Sequence, residues 1–90
     1  MDVIQISVVL RGVERRFKWI VVDPNVCHGK PVFKGTRILV SDVLEMLSAR
    51  MSIEEVLREY PQLSREMIYE AIGLAAELLR RERSVIQIPA

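Results

Sequence analysis

Positively charged side chains set beside glycine are the residues of this chain best suited to chemistry with an anion. In the segment 29–37, Lys30, Lys34 and Arg37 accompany Gly29 and Gly35. Glycine lets the backbone approach a ligand closely, and the three cations can donate to phosphate. The same loop has a purely structural use, with Thr36 bonding backbone and Arg37 reaching a helix carboxylate such as Asp42 or Glu45. A nucleotide-binding P-loop is excluded, because that motif continues from Gly-Lys into Ser or Thr and a helix, whereas Gly29-Lys30 runs into Pro31. Arg15, Arg16 and Lys18 form a second basic group, on a segment of strand character. They would act as a wing along a nucleic-acid backbone, or else form a solvated strand face. Gln62, Ser64, Arg65 and Tyr69 form a third group at the start of a helix, where side chains can read base edges in a major groove. Glu66 and Glu70 share that stretch and repel a polyanion, so phosphate affinity is expected from the strand and loop cations instead.

Other reactive side chains do not assemble into a site by spacing. Cys27 is the only cysteine and His28 the only histidine. Their adjacency supplies neither the three or four ligands of a metal site nor a base and orienting group for a thiol nucleophile. A single cysteine also excludes an internal disulfide framework and suits a reducing compartment. Glu54, Glu55, Glu66 and Asp42 fall in first turns of helices, where they complement the helix dipole. No carboxylate pair is spaced for acid–base work. No catalytic residue, metal or cofactor is therefore expected, and the chain does not read as an enzyme.

The elements that must position these residues follow from pattern. Residues 3–10 and 13–22 are rich in β-branched and aromatic side chains around Arg11-Gly12, which reads as a β-hairpin. Phe17 and Trp19 alternate with Lys18, placing both on the core side with Trp19 as a packing anchor. Consecutive Val8, Val9 and Leu10 suggest that both strand faces are covered, by helices or by a second subunit in a dimer formed through the hairpin. Asp23-Pro24-Asn25 breaks the strand, residues 27–36 form a structured loop, and residues 37–40 return to extended chain. Ser41 is placed to cap a helix running to about Arg50. Ser52 and Glu55 make a Ser-x-x-Glu capping box, with Met51 and Val56 at staple positions, and Pro61 ends that helix. Ser64 caps a third helix with apolar positions at 68, 71, 72, 75, 78 and 79, reaching about Arg83. Arg80, Arg81 and Arg83 near its end suit the helix dipole. Residues 85–88 read as a short closing strand, stopped by Pro89.

Ninety residues are enough for one core only. Charge is divided unevenly along that single domain. In residues 11–37 seven basic side chains stand against two acidic ones, a net +5, whereas in residues 38–79 three stand against eight, a net −5. The first half suits phosphate and the second does not. The start of the chain lacks a signal-peptide pattern and no apolar run is long enough to span a bilayer, so a cytoplasmic protein without membrane contact is expected.

One long run resembles a known family. Asp23-Pro24, Gly29-Lys30-Pro31-Val32-Phe33-Lys34-Gly35-Thr36-Arg37-Ile38-Leu39-Val40, Met51-Ser52-Ile53-Glu54-Glu55-Val56-Leu57 and Tyr60-Pro61-Gln62-Leu63-Ser64 together resemble the DUF433 family, grouped with antitoxins of the VapB type. The likeness spans Ile20 to Ala76. It implies a helix-turn-helix core, frequent dimerisation, and membership of a toxin–antitoxin pair whose toxin is often a PIN-domain ribonuclease. Two departures fall at turns: Leu39 stands where the family has proline, and Arg50-Met51 where it has glycine.

The resulting expectation is an α+β domain. A β-hairpin (1–22), a Gly/Pro loop with a short strand (23–40), a tri-helical helix-turn-helix bundle (41–83) and a carboxy-terminal strand or tail (84–90) would follow in order. The expected function is a DNA-binding, winged-helix-like antitoxin and transcriptional autoregulator, a homodimer that neutralises a cognate toxin. The alternative is a protein-interaction module of the same fold that does not bind DNA, favoured by the acidic balance of the helices.

Overall fold

The computed structural model describes residues 4–10 and 13–81, with side chains described for 4–7 and 16–80. The Arg11-Gly12 turn, the end of the third helix at Arg83, and the strand expected at 85–88 lie outside the described residues.

The chain is α+β. A three-stranded antiparallel sheet in the order β1 (Ile4–Leu10), β2 (Val13–Val22), β3 (Val32–Phe33) precedes α1 (Val40–Ser48), α2 (Ile53–Glu59) and α3 (Arg65–Arg81). The first two strands pair as expected for a hairpin, but the register shifts in the middle. Ile4 and Gln5 pair with Val22 and Val21, while Ser7 to Leu10 pair with Arg16 to Val13. A single β1 residue, Ile6, therefore faces the four residues 17–20 of β2, a wide bulge that bends the strand.

That bulge corrects the alternation read from Phe17, Lys18 and Trp19. Phe17 and Ile20 are fully buried, Val21 is buried beside Ile20, and Trp19 is only half-buried. Period-two alternation assumes a regular pleat, which a bulge abolishes. Trp19 is therefore at the edge of the core rather than its anchor.

The third strand is also not where the apolar run 37–40 placed it. Val32 and Phe33 pair with Val21 and Ile20, while Leu39 makes a single bridge back to Val32 and Val40 already belongs to α1. The cause is a tight turn between them. Gly35 takes φ 78°, the Thr36 N–H donates to the Phe33 carbonyl at 3.0 Å, and the Phe33 N–H donates to the Ile38 carbonyl at 3.1 Å. Residues 37–39 become the return leg of that turn.

Helix boundaries follow local signals except at the first. Ser41 does not cap α1: Leu39 occupies the cap position without a side-chain bond, and the Val40 N–H donates instead to the Pro31 carbonyl at 3.1 Å. The helix ends at Ser48, short of Arg50, with the Met51 N–H bonded to the Met46 carbonyl and the Arg50 N–H to the Leu47 carbonyl. These two bonds are a Schellman termination, and they force Arg50 to φ 70°. Ser52 and Glu55 form the expected capping box, each accepting from the other's backbone N–H, at 3.1 and 3.0 Å. Hydrogen bonding to its carboxylate from the Ser52 N–H and then the Ser52 hydroxyl, and Arg58 nearby, hold the Glu55 pKa below the ordinary 4.5. Ser64 caps α3 by accepting from the Met67 N–H at 3.3 Å.

The core joins sheet to helices. Phe17, Ile20 and Phe33 pack with Val40 and Val43 of α1, Val56 of α2, Leu63, and Ile68, Ala71 and Leu74 of α3. Each of the helices thus gives one stripe to a shared core, as amphipathic periodicity requires.

Candidate nucleic-acid interface

The bulge in β2 determines how the basic residues meet. Along a regular strand successive N–H groups point to opposite edges. Here those of Lys18 and Trp19 converge on one carboxylate: Glu70 of α3 accepts from Lys18 at 2.8 Å and from Trp19 at 2.6 Å, one with each oxygen. Glu70 therefore satisfies two donors that β1 no longer serves, and clasps α3 to the sheet. The other side of the same stretch is held by β3, because the Trp19 carbonyl accepts the Lys34 N–H at 2.8 Å. The Lys34 backbone thus stands against Trp19, and the Lys18 ammonium lies 4.9 Å from the centre of the indole ring.

Lys34 leads directly into the Gly35–Arg37 turn. The Thr36 hydroxyl donates to the Phe33 carbonyl at 2.8 Å and accepts from the Ile38 N–H at 3.0 Å. This is the structural role expected of Thr36. Lys34 and Arg37 both line a cleft of about 580 Å³ with Val21, Val26, Val32 and Asp23. The Asp23 carboxylate, which accepts from the Asn25 N–H at 2.9 Å, offsets part of their charge. Lys18, Lys30, Lys34 and Arg37 are all exposed. No ion pair between Arg37 and Asp42 or Glu45 is formed.

The remaining candidates divide. Arg16 is exposed, whereas the Arg15 side chain lies outside the described residues. Gln62 and Tyr69 are exposed, Tyr69 by 56%. Ser64 is occupied as the cap of α3, and Arg65 is ion-paired with Glu54 of α2. The structure thus brings Lys34 and Arg37 to one cleft, sets Lys18 over Trp19, and commits Ser64 and Arg65 to holding α2 and α3 in place. Residues 27–29 form a short 3-10 turn in which Cys27, His28 and Gly29 all have positive φ, and the Cys27 thiol approaches the Arg37 carbonyl at 3.4 Å. Among the described residues, no three or more His, Cys, Asp or Glu side chains group to hold a metal. No described helix is long and apolar enough to cross a membrane.

Sequence reasoning missed Glu70. Its position on the solvent-leaning side of α3 marks it as a surface glutamate, and nothing local signals partners some fifty residues away. The half-exposed indole of Trp19, with the Lys18 ammonium over it, was missed for the same reason: its placement depends on the bulge.

Residues 20–75 match the model of a family described as a protein of unknown function, DUF433. The chain belongs to the DUF433 family. The match begins at Ile20, inside the bulge, and so takes in Lys34, Arg37 and Glu70 but not Lys18 or Trp19. This DUF433 chain is also similar to the uncharacterized protein y4eO of Sinorhizobium fredii (strain NBRC 101917 / NGR234), at 39% identity over 64 residues. That similarity covers 70% of this chain and 29% of the relative, so the matched chain spans under a third of the relative's length. No solved structure gives a significant match.

Proposed function

We propose that this DUF433 protein is a DNA-binding regulator of the antitoxin type, in which α2 and α3 act as a helix-turn-helix pair and the sheet supplies phosphate contacts. The observation that carries the reading is the basic sheet edge, with Lys18 over the Trp19 ring on a strand clasped to α3 by Glu70, and Lys34 and Arg37 sharing the cleft beyond it. Glu70 is five residues beyond the start of α3, about 7.5 Å along its axis. The basic strand therefore runs beside the leading half of the helix that would enter a groove, where a wing would contact phosphate. Gln62 and Tyr69 remain exposed for base edges, while Arg65 is ion-paired with Glu54 of α2. The resemblance to VapB-type antitoxins supplies the second half of the proposal, a nuclease toxin bound as protein partner.

The test is retardation of a labelled duplex taken from upstream of the gene, repeated over a series of salt concentrations. Affinity falls steeply with salt if phosphates are neutralised, and Lys18→Ala or Lys34→Ala each lower the slope by about 1. Arg65→Ala changes the slope little. Absence of retardation at low salt, or a slope indifferent to both lysines, overturns the reading.

One feature favours the alternative, a protein-interaction module. Asp42, Glu45 and Glu59 surround a groove of about 620 Å³ that also exposes Met46, Met51 and Tyr60. Acidic and apolar together, this groove is suited to a basic protein segment and unsuited to DNA. Copurification of a protein partner, with no duplex bound at any salt, identifies that case.

A further inference from the structure

The sheet has a second apolar face that the helical core does not use. Ile20 and Phe33 pair across β2 and β3, and both belong to the core shared with the helices. Val21 and Val32 are the next pair, so strand alternation turns their side chains to the opposite face. They are only 6% and 2% exposed, yet they lie outside that core. Both line the cleft of about 580 Å³ together with Asp23 and Val26 of the loop after β2 and with Lys34 and Arg37 of the turn after β3. The loop and the turn are fixed in place. The Val26 N–H donates to the Asp23 carbonyl at 2.9 Å, the Thr36 N–H to the Phe33 carbonyl at 3.0 Å, and the Cys27 thiol meets the Arg37 carbonyl at 3.4 Å. The cleft is therefore built into the fold, with three valines for walls and charge at its rim.

We propose that this cleft binds a small aliphatic monocarboxylate, its chain against Val21, Val26 and Val32 and its carboxylate at Lys34 and Arg37. The volume lies in the range of about 300–1,000 Å³ usual for small-molecule sites, which pair apolar walls with a few polar groups. The rim selects the charge. Lys34 and Arg37 are exposed, and neither is ion-paired among the described residues. The Thr36 hydroxyl is already committed to the Phe33 carbonyl and the Ile38 N–H, which leaves the two cations as donors. Against them stands Asp23, so the rim carries a net +1, matched to a single negative charge. The valines select the body of the ligand. A phosphate, free or in a nucleic-acid backbone, meets the cations at the rim and leaves these walls uncovered, whereas an alkyl chain removes them from water. The site goes beyond the DNA reading and stands whether or not a duplex binds.

Octanoate below its micellar concentration is the probe, followed by the valine methyl resonances of the full chain. Saturable shifts are expected at Val21, Val26 and Val32 and not at Val43 and Val56 of the helical core. Acetate, which keeps the charge without the chain, and octylammonium, which keeps the chain and reverses the charge, each bind about tenfold or more weakly. Lys34→Gln and Arg37→Gln, at exposed positions, keep the circular dichroism of the folded chain and each weaken octanoate by about fivefold. Octylammonium binding as tightly as octanoate, or octanoate binding indifferent to both cations, reduces the effect to adsorption on an apolar surface and overturns the proposal. Inorganic phosphate matching octanoate at the same methyl groups also overturns it, as does the absence of any saturable shift.

Discussion

The middle of β2 and the start of α2 meet the same physical problem in different ways. Each leaves backbone N–H groups without a partner in its own element, and each calls on a glutamate. At α2, Ser52 and Glu55 exchange bonds three residues apart. In β2 the donors are Lys18 and Trp19, and the acceptor, Glu70, arrives from another element. The local device closes almost no loop, so it costs little chain entropy and forms with the helix itself. The remote one forms only when α3 has docked on the sheet, and it then decides where the lysines and Trp19 stand. A short-range cap thus builds an element, whereas a long-range one builds a surface.

The largest effects are expected at the bulge. Phe17→Ala, at a fully buried site, should cost about 3–5 kcal/mol in urea denaturation. Trp19→Ala, at a half-buried one, should cost less than half as much. Equal losses would mean that the strand is regular and the bulge is absent. Glu70→Ala comes next, at about 2 kcal/mol, because two backbone donors lose a charged acceptor. It should also weaken any duplex binding beyond what lost stability explains, since the basic strand is no longer held against α3. A variant with unchanged stability would show that the clasp is dispensable.

Smaller effects are expected at the α1–α2 junction. Ser52→Ala removes the cap and should lower stability by about 1 kcal/mol. Arg50→Gly should raise it by about 0.5–1 kcal/mol, because glycine takes the φ of 70° without the steric cost borne by arginine. A destabilised Arg50→Gly protein would contradict the Schellman geometry. The smallest effect is the pH dependence of Glu55. Its folded pKa is depressed, so its contribution is complete above its ordinary 4.5 and is lost as pH falls through the lower folded value. The urea midpoint of the wild type should approach that of Glu55→Gln across this acid range, and a constant separation would deny the carboxylate its role.

The resemblance to DUF433 sharpens at the same junction. Where the family carries glycine, this chain places Arg50, and the backbone still adopts the conformation that glycine suits. The turn is therefore set by the helices on either side and by the two Schellman bonds, and the local residue tolerates it. At Leu39, where the family has proline, the residue is extended and precedes the first turn of α1, a place where proline's fixed φ would also fit.

The capping box at Ser52, the cap at Ser64, the break at Pro61 and the three amphipathic helices were all determined within a few residues of chain. Their hydrogen bonds and apolar periods are local, so they are written in the sequence itself. The basic composition of residues 11–37 was equally open to reading. Only tertiary structure decided that β2 bulges, that β3 is Val32–Phe33 and not the later apolar run, and that Val40 finds its acceptor at Pro31 instead of a capping Ser41. It also decided which cations share a surface. Each of these outcomes depends on contacts between segments far apart in sequence, whose free energy exists only once the core of Phe17, Ile20 and Phe33 has closed against the helices.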